Sequence, residues 1–137
     1  MKHLTGDKGD IGVARITADL IEKGIPVFIP VSSTCPFDLL GFDNEFKRIQ
    51  VKYRTPTKRN TIEVRMERAI ISNSKISKTY NFGVDIIAIF CPDTNKCYYV
   101  KTNGNMKSIT LRLEKPKNNQ TTNINNADDF LEFPTDP

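Results

Sequence analysis

One histidine, three cysteines and no tryptophan occur among 137 residues. His3 stands alone near the N-terminus, and Cys35, Cys91 and Cys97 contain no Cys-x-x-Cys pair, so a zinc site lacks its ligand set. An odd cysteine count does not make a disulfide framework. Cys91 and Cys97 flank a predicted hairpin and are able to face one another, but reduced thiols of a cytosolic protein are the expected state. No run approaches the roughly 18 apolar residues of a membrane span, and the N-terminus lacks the apolar core of a signal peptide. These absences predict a soluble, cytoplasmic protein with no membrane partner. Internal repeats are also missing.

The chain does have an uneven charge. Apolar residues make up 38% and charged residues 26%, as in a small α/β or α+β domain, and the length suits one domain over 1–137. Between positions 47 and 78 stand ten Lys and Arg against Glu63 and Glu67, whereas the last twenty residues contain no cation. A basic middle with an acidic tail points to a polyanion-binding face.

Residues 7–23 place Ile11, Ala14, Ala18 and Ile21 on one helical stripe, widened by Val13, Ile16 and Leu20; Gly24 stops the helix and Asp7 or Asp10 caps it. Prolines bound a short strand in 25–30. The apolar run 37–42 reads as a buried strand, Asp43 and Asn44 as a turn, and 46–54 as an alternating strand. On that strand Ile49, Val51 and Tyr53 point one way, and Arg48, Gln50, Lys52 and Arg54 the other. A loop at 55–60 and a strand at 61–66 suggest a second hairpin. Residues 72–83 show no clear period and read as a loop that DNA could order. Residues 84–90 and 96–100 form a hairpin, and 108–114 a strand with Ile109, Leu111 and Leu113 on its apolar face. Over 115–137 an Asn-rich linker leads to an acidic tail, where Phe130, Leu131 and Phe133 dock through one helical turn.

The chemistry gathers around Asp38. A carboxylate inside an apolar strand is costly unless a cation or hydrogen bonds meet its charge. Twelve residues later, across a turn, Gln50 and Lys52 project from one face of the neighbouring strand. Asp38, the Gln50 side-chain carbonyl and the Val51 backbone carbonyl make a hard-oxygen set suited to Mg²⁺, with Mn²⁺ as a substitute. Lys52 is placed to orient or deprotonate an attacking water, or to neutralise charge developing at phosphorus. Arg48, Arg54, Lys58, Arg59, Lys75 and Lys78 are candidate phosphate contacts. Asp85 also lies in a strand but has no Lys partner beside it, and reads as structural.

The pattern Pro36-Phe37-Asp38 followed by Gln50-Val51-Lys52 resembles the PD-(D/E)XK nucleases, with Gln in the D/E position. The leading "KGDIG" helix, "PVFIPVSSTCPFDLL", "YRTPTKRNTIEVR", "GVDIIAIFCPDTNKCYYV" and "ITLRLEKPKNNQ" look like the group I intron-type homing endonucleases of that superfamily. The resemblance implies a restriction-endonuclease-like α/β (α+β) fold, a central mixed sheet with the N-terminal helix packed against it. It also implies Mg²⁺-dependent hydrolysis of double-stranded DNA by a homo-oligomer, dimer or tetramer, because two strands must be cut. Members of that group usually carry a Glu on the first helix where this chain has Val13; Asp10, one turn earlier, or Glu63 is the candidate replacement. Two alternatives stand beside the homing-type reading. One is a structure-selective nuclease resembling Holliday junction resolvases, and the other a DNA-binding protein that keeps the fold without the catalysis.

Overall fold

The computed structural model describes residues 5–72, 75–80, 83–102, 106–114 and 124–135. Residues 115–123 of the expected Asn-rich linker lie outside them, as do the side chains of Lys75 and Lys78.

Helix α1 (Thr5–Glu22) begins before Asp7, which lies in its first turn, so Asp10 is an interior residue and not the cap. Gly24 adopts φ 78°. Its N–H donates to the Ile21 carbonyl at 3.0 Å and that of Ile25 to Leu20 at 2.9 Å, the two crossed bonds that satisfy the last carbonyls of a glycine-terminated helix. The buried stripe is Gly12, Ile16 and Leu20, with Ile11 and Val13 packed beside it; Ile16, Leu20, Ile11 and Val13 of the expected face thus go inward, while Ala14 and Ala18 are exposed and Ile21 is 61% exposed. Gly12 explains the rotation. A Cβ there would stand 3.2 Å from Val51 Cγ1 and 3.6 Å from Tyr53 Cβ, so the missing side chain lets the helix backbone lie directly on a strand, and every fourth residue follows it inward.

Five strands, β1 (Val27–Phe28), β2 (Leu39–Asp43), β3 (Glu45–Tyr53), β7 (Ile86–Cys91) and β8 (Lys96–Lys101), form the main sheet in the order β1-β2-β3-β7-β8. The β3–β7 pair is parallel and the others antiparallel. Strands β4 (Thr61–Arg65) and β9 (Ser108–Arg112) pair in a second sheet. The expected hairpin between 46–54 and 61–66 therefore does not form: β2 and β7 take both edges of β3, and β4 crosses to another layer. The loop expected at 72–83 is also corrected, because β6 (Lys75–Tyr80) pairs antiparallel with β5 (Glu67–Ser72). The sequence hid this hairpin because Glu67–Ser72 gathers its apolar residues in one run, Ala69 to Ile71, and Lys75–Tyr80 is mostly polar, so neither shows a clear apolar alternation.

Two cores separate the layers. On the helix side, Ile16, Leu20 and Ile25 pack with Leu39, Ile49, Ile86, Ala88, Phe90, Tyr99 and Phe133. On the other side, Ile87, Ile89, Cys91, Tyr98 and Val100 meet Ile62, Val64, Ile109 and Leu111 of β4 and β9. A 3-10 turn (Ala127–Phe130) brings the tail back as expected: Phe130 and Leu131 pack on the second core and Phe133 enters the first. Cys91 pairs across the hairpin with Lys96 and Cys97 with Phe90, which puts the two thiols in different cores, so they do not face each other. All three cysteines are free.

Candidate active site

Asp38 sits one residue before β2 begins. Its N–H donates to the Ile49 carbonyl at 2.9 Å, and its carboxylate Oδ2 accepts the Val51 N–H at 2.8 Å. The apolar flanks suggested a buried carboxylate, but Asp38 is exposed. Strand geometry fixes what surrounds it. The N–H and C=O of one strand residue point to the same side. Arg48 and Arg54 turn theirs toward the β7 side, with Asp85 N–H to the Arg48 carbonyl at 2.9 Å and Arg54 N–H to the Phe90 carbonyl at 3.0 Å. Ile49 and Val51, of opposite parity, turn theirs toward β2. Because β2 starts only at Leu39, the Val51 carbonyl opens into the same notch as the Asp38 carboxylate.

Side chains follow the alternation expected from sequence. Ile49, Val51 and Tyr53 serve the helix-side core, leaving Gln50 and Lys52 on the opposite face. There they stand beside their parallel partners Ile87 and Ile89. Lys52 is half-buried. Burial lowers the pKa of its ammonium below the ordinary lysine range, the Arg54 guanidinium lowers it further, and the Asp38 charge acts in the other direction. Arg54 donates to the Tyr53 carbonyl at 2.9 Å, and burial lowers its pKa too. Asp38, Val51, Gln50, Lys52 and Arg54 thus share one end of β3.

The candidate extra carboxylates do not join this group. Val13 packs against the helix-side core. Asp10 is exposed; at about 100° per residue it lies roughly 160° around the helix from Gly12, facing away from β3. Glu63 is exposed on β4, whose neighbours Ile62 and Val64 point inward. Among the described residues no three His, Cys, Asp or Glu side chains form a metal-binding group. The donors at the notch are instead one carboxylate, one amide oxygen and one backbone carbonyl. Three oxygens of this kind suit a hard divalent cation, with water or a phosphate completing the shell.

Lys58 and Arg59 are exposed on the loop after β3, while β6 carries Lys75 and Lys78. Arg48, a candidate phosphate contact, is engaged by Asp85. Its Nε and Nη2 each donate to Asp85 at 3.1 Å, and its backbone N–H adds a third bond at 2.8 Å. Asp85 holds the Arg48 pKa up, and the Arg48 guanidinium holds that of Asp85 below the ordinary carboxylate range. The partner missing for Asp85 in the sequence is thus an arginine brought by the parallel pairing.

Residues 3–133 match the family model of the PD-(D/E)XK endonucleases. The chain belongs to that family. Among solved structures, this endonuclease is similar to a bacterial homing endonuclease, I-Ssp6803I, with a TM-score of 0.68 at 14% identity over 93% of this chain and 88% of that one. At this identity the likeness establishes a shared fold, and the expected mixed sheet with its N-terminal helix is that fold. No curated protein matches this endonuclease in sequence.

Sequence reasoning overlooked one surface on this endonuclease. Phe28, Phe42 and Phe46 are 49%, 39% and 56% exposed, and their rings meet in a chain, Phe28 to Phe46 at 5.7 Å and Phe42 to Phe46 at 4.9 Å. The available signal was parity: Phe46 falls on the polar face of β3, in line with Arg48, Gln50 and Lys52.

Proposed function

We propose that the protein is a Mg²⁺-dependent endonuclease hydrolysing phosphodiester bonds of double-stranded DNA, with a homing-type role, acting as a homo-oligomer. The observation that carries this reading is the Asp38 carboxylate, held by the Val51 N–H at 2.8 Å beside the Val51 carbonyl at the end of β3 that bears Gln50 and Lys52. Asp38, the Gln50 side-chain carbonyl and the Val51 carbonyl would hold Mg²⁺, or Mn²⁺ in its place. Bound there, the ion polarises a phosphate oxygen and lowers the pKa of a bound water. The Asp38–Val51 hydrogen bond fixes the carboxylate, so little reorganisation is needed on loading. Lys52 faces the reacting phosphate. Its ammonium orients the attacking water and offsets the negative charge that grows as the new P–O bond forms and the leaving oxygen departs. Arg54 adds a second, half-buried cation beside it, and Lys58, Arg59, Lys75 and Lys78 bind the backbone on either side.

Cleavage of supercoiled plasmid in Mg²⁺ or Mn²⁺ tests this proposal. Lys52→Ala and Asp38→Asn should each lower the rate by at least about a hundredfold, with binding to duplex retained. Wild-type rates in both variants would overturn the assignment.

A second reading has one specific observation in its favour. Asp10 and Glu63 both face away from the notch, leaving Asp38 without a companion carboxylate among the described residues, as in a protein that binds DNA without cutting it. Calorimetry showing duplex binding with no uptake of Mn²⁺ in the presence or absence of DNA would establish that reading.

A further inference from the structure

We propose, resting on the nuclease reading above, that Arg54 is a catalytic residue: its guanidinium takes a non-bridging oxygen of the scissile phosphate and supplies the second positive charge of the site, so that each chain works with a single divalent ion. The two arginines on this face of β3 differ in their partners. Arg48 is paired with Asp85. Arg54 is half-buried, and among the described residues no carboxylate pairs with it; its guanidinium bond goes to the Tyr53 carbonyl at 2.9 Å. That bond leaves most of a planar fork of N–H donors without a protein partner among the described residues. A guanidinium that gives up water without meeting an anion is costly, so the arrangement suits a ligand that brings one.

Main-chain parity says where the fork lies. Ile49, Val51 and Tyr53 turn their N–H and C=O groups toward the β2 side, and β2 begins only at Leu39, opposite Ile49. The Tyr53 carbonyl is therefore on the same open edge as the Val51 carbonyl, roughly 7 Å further along the strand. Nη1 of Arg54, bound to it, stands at the notch, whereas the Arg54 backbone N–H goes to the Phe90 carbonyl on the β7 side at 3.0 Å. Burial lowers the Lys52 pKa, Arg54 lowers it further and Asp38 raises it, so the ammonium is within electrostatic reach of both. A phosphate that enters the notch meets Lys52 and Arg54 together, while the phosphates on either side ride outside, where the exposed Lys58 and Arg59 stand. Two-ion sites clamp a phosphoryl group between metals, which needs more carboxylate than Asp38 alone; among the described residues no three His, Cys, Asp or Glu side chains gather. A guanidinium clamps without carboxylates, because it carries its charge at any working pH and its fork binds phosphate oxygens directionally. During hydrolysis the water oxygen bonds to phosphorus and the bond to one sugar oxygen breaks. One water proton ends on the departing hydroxyl and the other on the new phosphomonoester. Arg54 exchanges no proton; it holds the charge on the phosphoryl oxygens, most strongly in the transition state.

Arg54→Ala and Arg54→Gln in the full chain test this with three readouts: single-turnover cleavage of supercoiled plasmid in Mg²⁺, duplex affinity, and Mn²⁺ uptake by calorimetry with and without duplex. Both variants should keep the circular dichroism spectrum, lower the rate at least about a hundredfold and hold duplex affinity within about threefold. Without duplex they should take up Mn²⁺ at least as tightly as wild type, because a neighbouring cation has been removed. Arg54→Lys, which keeps the charge and loses the fork, should fall between. Wild type should take up a single Mn²⁺ per chain. A second ion per chain, or wild-type rates in both variants, would overturn the proposal. So would a loss confined to duplex affinity, the mark of a flanking phosphate contact, or a parallel loss of Mn²⁺ uptake, the mark of a structural role. Lys52→Ala and Asp38→Asn separate the two levels. If they are impaired while the Arg54 variants are not, Arg54 alone is misassigned; wild-type cleavage by all of them, or no Mn²⁺ uptake under either condition, sinks the nuclease reading and this role with it.

Discussion

Arg48 and Asp85 join β3 to β7 through side chains and backbone at once: two guanidinium bonds and the Arg48 N–H go to the Asp85 carboxylate, and the Asp85 N–H goes to the Arg48 carbonyl. The pair is about half exposed, so its net contribution is modest, about 1 kcal/mol. The folded-state pKa of Asp85 is depressed. Its contribution is therefore present above the unfolded carboxylate pKa of about 3.9 and disappears as pH falls through the lower folded value. Asp85→Asn should accordingly lower urea stability by about 1 kcal/mol near neutral pH, and by progressively less as pH falls below the unfolded carboxylate value. A deficit that does not change with pH would assign the effect to packing. The same ion pair occupies the Arg48 guanidinium, so Arg48→Gln should weaken duplex binding less than loss of Lys58 or Arg59. At the candidate active site, the shared face of Gln50 and Lys52 was legible because alternation along one strand is local. The exposure of Asp38 was not, since it depends on where the neighbouring strand starts.

Among the elements, α1 and β3 show how closely the scaffold and the site are joined. Gly12 is the point of closest approach, and the atoms it touches belong to Val51 and Tyr53. Gly12→Leu should cost about 2–3 kcal/mol despite the better helix propensity of leucine, because the helix must lift off the strand. On the proposed assignment the Val51 backbone lines the catalytic notch, so this variant should lose plasmid cleavage at temperatures where circular dichroism still reports a folded chain. Retained activity at unchanged stability would show that the helix has slack at this crossing. The sequence showed the helix and a broad face that includes Ile11, Val13, Ile16 and Leu20, but extended that face over Ala14, Ala18 and Ile21, which are exposed. Alanine and isoleucine spacing defined an apolar stripe, while the close approach allowed by one glycine decided which side went inward.

Across the whole molecule, the returning tail ties the two cores together. Ala127 belongs to the core between the sheets, and Phe133 to the core under the helix, where its ring meets Tyr99 edge-on at 5.8 Å. Tyr99 in turn donates to Asp19 of α1 at 2.5 Å. Phe133→Ala should therefore cost about 3–5 kcal/mol in chemical denaturation. A loss below about 1 kcal/mol would mean that the tail rests on the fold without supporting it. The acidic end and the apolar triplet Phe130, Leu131 and Phe133 were visible in the sequence as a docking segment. Their division between two cores was not, because no local period records a chain that passes from one layer to the other.

The sequence by itself determined the alternation of β3, the strands of the β7–β8 hairpin, and the juxtaposition of Asp38 with Gln50 and Lys52. Each follows from backbone geometry over a few residues and a single turn. Only the tertiary structure decided that β7 lies parallel to β3, that Asp85 meets Arg48 and that β4 leaves the main sheet. It alone turned Asp10 and Glu63 away from the notch and left three phenylalanines open to solvent. Those outcomes rest on which distant segments bury one another's apolar faces, a competition among partners that local spacing does not encode.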